Sequence, residues 1–143
     1  MPETGLSPSE TRDLRILAGI MIPASEEFGV PGADDAAIFA DIVGSLGRDH
    51  AHVRAALGQF SAMSGGGFSG LEEAAGLLLT QGGPAVGTLG RVILQCYYRD
   101  DRVIRSLGLE PRPPFPKGHT LEQGDWSLLD PVRARPKMWR DAP

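Results

Sequence analysis

The sequence predicts an all-α protein: five to six short helices in one domain, followed by an extended proline-rich C-terminal tail. Three observations carry this. Apolar residues recur at helical spacing in several separate segments. Capping residues, glycines and prolines bound those segments. No stretch shows a convincing alternation of period two, so no strand is predicted. The expected division is a helical domain over 1–108 and a tail over 109–143.

The first helix is the best marked. Ser7 and Glu10 form a capping box with Pro8 at the first helical position, and Leu14, Leu17, Ala18 and Met21 follow at helical spacing. Ile16, Ile20 and Ile22 widen the apolar face, and Pro23 ends it. After a loop over 23–32, a second helix is expected from about Ala33. Asp34 and Asp35 suit its positive end, Phe39, Ile42, Val43 and Leu46 form its stripe, and Gly47 its exit.

A third helix is expected from about Asp49 to Met63, with Val53, Ala56, Leu57 and Phe60 inward, before the break at Ser64-Gly65-Gly66-Gly67. Ser69 and Glu72 suggest a second capping box, opening a short helix through Leu77, Leu78 and Leu79. Gly82-Gly83-Pro84 separates it from a fifth over Pro84 to Tyr98, with Val86, Leu89, Ile93 and Cys96 or Tyr97 inward. A last short helix from Asp101 to Leu107 closes at Gly108. No internal repeat is visible.

Composition bounds the function. The chain has 143 residues, 41% of them apolar, a formal charge of −4 and a pI near 5.3. That is the size of one domain, and the acidic balance does not point to nucleic acid. Arginine outnumbers lysine twelve to two. A GC-rich genome produces that bias, and arginine also suits interfaces. One cysteine, Cys96, allows neither an internal disulfide nor a thiolate cluster. There is no apolar run long enough for a membrane span, no export signal and no Arg-Arg pair, so a cytoplasmic location is expected.

No catalytic constellation emerges. His50 and His52 lie two apart, where a helix points them in opposite directions, and His119 has no sequence neighbour to join. They read as solvated histidines, not metal ligands. Ser64-Gly65-Gly66-Gly67 lacks the Gly-Lys-Ser/Thr ending and preceding strand of a phosphate loop. Cys96 sits among Ile93, Leu94 and Tyr97 as a small buried thiol. The acidic pairs Glu26-Glu27, Asp34-Asp35, Glu72-Glu73 and Asp100-Asp101 stand mostly at helix starts. No residue here is expected to be catalytic or to bind a cofactor or metal.

The tail differs in kind. It holds seven of the twelve prolines and both tryptophans. Proline-rich segments normally read as linkers, yet this one carries Phe115, Trp126, Leu128, Leu129, Val132, Met138 and Trp139. It is expected to be non-helical, to stretch on the order of 100 Å if fully extended, and to hide its apolar surface against something. Either it wraps a partner, or it folds back over its own light core. The partner-interface residues it suggests are Phe115, Trp126, Leu128, Leu129, Pro131, Arg133, Arg135 and Trp139, with Tyr97 and Tyr98 at the end of the fifth helix.

Three stretches together resemble the gluconate 2-dehydrogenase subunit 3 family, the small (gamma) subunits that accompany FAD-dependent dehydrogenases of the glucose–methanol–choline class. They are Leu17-Ala18-Gly19-Ile20-Met21-Ile22-Pro23-Ala24 with Val30-Pro31-Gly32-Ala33; Tyr97-Tyr98-Arg99-Asp100-Asp101-Arg102-Val103 with Leu107-Gly108; and the proline-rich exit with Lys117-Gly118-His119. The resemblance implies a non-catalytic accessory subunit in a hetero-oligomer, with FAD and sugar or polyol oxidation in the larger partner. Many members carry a twin-arginine leader. Its absence here favours the cytoplasm, or the periplasm if the leader was removed or belongs to the partner. A free-standing helical binding or regulatory module, its tail on its own core, is the alternative reading.

Overall fold

The computed structural model describes residues 5–65, 70–113, 115–118 and 120–140. The described residues form seven α-helices and two 3-10 turns; the one β-like feature is an isolated bridge between Ser25 and Val30. The all-α prediction holds, with one helix more than the upper count. The chain divides into two compact units, Met1–Pro111 and Arg112–Pro143.

In the first unit, α1 (Pro8–Met21) starts on the predicted capping box: Ser7 accepts from the Glu10 amide at 3.2 Å, and the Glu10 carboxylate accepts from the Ser7 amide at 2.7 Å. Helix α2 (Ala36–Gly44) begins three residues later than the sequence suggests. The Asp35 carboxylate turns back to cap the amides of Ala37 and Ile38, which holds Asp35 itself outside the helix. A 3-10 turn (Gly47–Asp49) leads into α3 (His50–Ser64), which ends on left-handed Gly65. Helix α4 (Leu71–Gln81) is capped by Gly70; the expected cap, Ser69, lies outside the described residues. Helices α5 (Pro84–Tyr97) and α6 (Asp101–Ser106) complete the unit.

Helix α3 is the hub, packing against α1, α4 and α5, while α2 leans on α5 and α1 on α4. Its four inward residues are the predicted ones, Val53, Ala56, Leu57 and Phe60, and they meet Leu14, Leu17, Ile38, Ile42, Leu78, Leu89 and Ile93 in one buried core. Helix α4 runs through Leu77, Leu78 and Leu79 as expected; it buries Ala74, Ala75 and Leu78, and Leu77 faces outward. Two alanines on the inner face leave room for the α3 backbone to come close, and Leu77 is turned about 100° from Leu78.

The second unit corrects the expectation of a non-helical tail. Trp126–Leu129 forms a 3-10 turn that runs into α7 (Asp130–Arg133), so this segment is helical despite its prolines. Pro131 occupies the first turn of α7, where its missing N–H costs nothing. No described residue of this unit is buried beyond the partly covered Arg112.

Candidate interaction surface

Two of the sequence stretches singled out above meet in the first unit. The backbone leaves α1 through Ile22, whose carbonyl accepts from the Ala33 amide at 2.9 Å. Between them Gly32 is buried in a tight place: a Cβ there would lie 2.5 Å from the Asp34 Oδ1 and 2.9 Å from the Ala24 amide nitrogen. Tyr97, 66 residues on, donates its hydroxyl to the Pro31 carbonyl at 3.2 Å. Arg102 donates to Asp35 and Asp100, the caps of α2 and α6. Helix-exit turn and Tyr-Tyr-Arg segment thus close one corner of the fold.

Arginine does much of this joining. Arg54 reaches Glu10 at 2.7 Å, Arg91 reaches Asp49 at 2.8 Å, and Arg15 bonds the Asp34 carbonyl while lying over the Phe39 ring. Part of the arginine excess therefore ties elements of the first unit together. The hydrogen bond from Arg102 holds the Asp35 carboxyl below the ordinary carboxylate range, and the same guanidinium does so for Asp100.

Cys96 is buried, as predicted. It borders a surface depression of about 370 Å³ lined also by Ile38, Asp41 and Arg99. Arg99 donates to both Asp41 oxygens and to the Ser45 hydroxyl, and lies 3.6 Å from the Cys96 sulfur. Burial pushes the thiol pKa upward, which keeps the sulfur neutral near pH 7 and weakly nucleophilic.

The histidines are a partial correction. His52 is exposed, whereas His50 opens α3 with its Nε2 screened from solvent and no hydrogen-bond partner. His119 lies outside the described residues. Among the described residues no three His, Cys, Asp or Glu side chains gather closely enough to hold a metal. Ser64 ends α3, bonding the Ser61 carbonyl; Gly66 and Gly67 are not described.

The proposed interface residues separate by burial. Tyr97 is only 4% exposed and belongs to the core, while its neighbour Tyr98 is 54% exposed with its ring edge-on to Tyr97. Tyr97 thus supplies no surface. In the second unit, Phe115 (85%), Trp126 (62%) and Trp139 (71%) are open, as are Leu128, Leu129, Pro131, Arg133 and Arg135. The 3-10 turn brings Trp126 and Leu129 onto one line, since residues three apart eclipse there. Asp125 caps the turn by accepting from the Ser127 amide and hydroxyl.

One exposed aromatic escaped the sequence reading. Phe28 stands at the tip of the 25–30 loop, which paired Ser25–Val30 hydrogen bonds of 3.0 Å close and left-handed Gly29 turns. The Ser-Glu-Glu-Phe-Gly-Val string, with glycine placed for a turn, was its signal. No helix among the described residues is long and apolar enough to cross a membrane. Comparison with protein-family models, with curated proteins and with solved structures finds no match for this chain.

Proposed function

We propose that this chain is a small, non-catalytic accessory subunit that stabilises or matures a larger FAD-dependent sugar or polyol dehydrogenase of the glucose–methanol–choline class. One observation carries the reading. The second unit presents both tryptophans, Phe115 and the Leu128–Leu129 pair to solvent, and none of its described residues is buried. Large aromatic side chains left open in one segment mark a surface awaiting a partner. The resemblance of the three sequence stretches to the small dehydrogenase subunits names the partner class.

The joining of two of those stretches at one corner supports the reading further, because it gives their unusual residues a shared structural task. In this reading the flavin and the oxidation chemistry belong to the larger subunit. The reading places the complex in the cytoplasm, or in the periplasm if a leader was removed or accompanies the partner.

The test is co-expression with the flavoprotein of the same genome. Full-length chain is expected to copurify with yellow, active large subunit, and removal of residues 112–143 to abolish this. Full yield from the truncated chain would sink the reading. A free-standing helical binding module is the second reading, favoured by the complete core of the first unit. It expects a stable, cooperatively folding monomer that gains nothing from co-expression.

A further inference from the structure

The second unit is not only apolar; it is charged in a particular order. It carries six basic residues against four acidic ones, whereas the first 111 residues carry eight against fourteen. Four of the six, Arg133, Arg135, Lys137 and Arg140, fall within eight consecutive positions that contain no acid. Immediately before them stands the helical turn with Trp126 and Leu129 in line, and Val132 one turn further.

We propose that residues 125–140 dock on a protein partner as two joined elements. The turn over 126–132 enters an apolar groove, and the basic stretch after it lies along carboxylates on one rim of that groove. This rests on the subunit reading above and adds the chemistry of the partner's surface.

The turn is built before binding. The Asp125 cap holds its first amides, Ala134 bonds the Asp130 carbonyl at 2.9 Å, and Arg135 bonds the Val132 carbonyl at 3.2 Å. Local hydrogen bonds order it without a core, so less conformational entropy is lost on docking. Trp126, Leu129 and Val132 then act as spaced anchors of the helix-in-groove kind. The cations that follow set register and favour an acidic rim over a basic one.

The same residues argue against a lipid surface. Pro131 and Pro136 restrict the helix to little more than a turn, too short for the broad apolar face of an interfacial helix.

The experiment uses full-length chain and the cognate flavin-bearing subunit, with affinity measured at about 0.05 M and about 0.3 M salt. Charge reversal of Arg133, Arg135 and Arg140 to Glu is expected to weaken binding more than about tenfold and to remove most of its salt dependence. The matching Arg→Lys triple should stay within about threefold. Trp126→Ala with Leu129→Ala should also cost more than about tenfold but keep the salt dependence. These side chains are exposed, so helicity by circular dichroism should not change.

Wild-type affinity in both the charge-reversed and the apolar variants would overturn this docking mode while leaving the subunit reading intact. Absence of any complex with the wild-type chain would overturn both. Binding of the wild-type chain to vesicles containing anionic lipid, lost in the same variants, would overturn it in favour of a membrane surface.

Discussion

The guanidinium of Arg102 donates to Asp35, 67 residues earlier, at 2.7 Å, and to Asp100 at 3.0 Å. Asp35 caps α2 and Asp100 caps α6, so one side chain joins the N-terminal ends of two helices. Arg102→Lys keeps the charge but loses the planar fork that serves two carboxylates. It should lower stability by about 0.5–1 kcal/mol. Asp35→Ala removes a cap as well and should cost about 1–2 kcal/mol. Chemical denaturation of the singles and the double checks this: the double should cost less than the sum of the singles.

The adjacent tyrosines should behave oppositely. Tyr97→Phe strips a hydroxyl that holds the Pro31 carbonyl, and about 1 kcal/mol of stability should go with it. Tyr98→Ala removes an exposed ring and should leave the melting midpoint nearly unchanged. If Tyr98 touches the partner, only that variant should weaken the complex.

Gly32 tests the corner itself. In Gly32→Ala the new methyl meets the Ala24 backbone nitrogen and the Asp34 carboxylate. Of the two, only the carboxylate can move aside cheaply. A loss of about 1–3 kcal/mol is expected by denaturation, with the helical spectrum retained. A variant as stable as the parent would show that the turn over 22–33 is looser than described.

Acid should act through Glu10. The Ser7 amide and then the Arg54 guanidinium hold its carboxyl at about 2 against an ordinary 4.5. A carboxyl with a depressed folded pKa stabilises the fold above its unfolded pKa, and that contribution is lost as pH falls through the folded value. The window therefore runs from 4.5 down to about 2. Glu10→Gln should cost about 0.5–1 kcal/mol near neutral pH. The gap between parent and variant should close across that window in pH-dependent denaturation curves.

The first unit was largely legible because its signals are local. Ser7, Pro8 and Glu10 announce α1, and the α3 stripe of Val53, Ala56, Leu57 and Phe60 has the period of a buried helix face. Where reading went astray, the deciding interaction lay far off in sequence or in a backbone detail. Helical spacing offers Tyr97 as an inward residue while its place beside Tyr98 suggests an interface, and packing near Pro31 assigns it to the core. Arg99 and Arg102 gave no sign of reaching Asp41 and Asp35, since those partners stand 58 and 67 residues away. In the second unit, proline content argued against helix, yet Pro131 sits where a helix accepts it. Its apolar side chains stand exposed in one segment.

The most direct test of the proposed subunit role is what copurifies with the full-length chain when it is co-expressed with a candidate flavoprotein of the glucose–methanol–choline class, read as bound flavin per chain. A stoichiometric yellow complex is predicted for the parent, with loss of flavin when Trp126, Leu129 and Trp139 are replaced together by alanine. A colourless, cooperatively folding monomer from the parent chain, or a yellow complex indifferent to those three replacements, would contradict it.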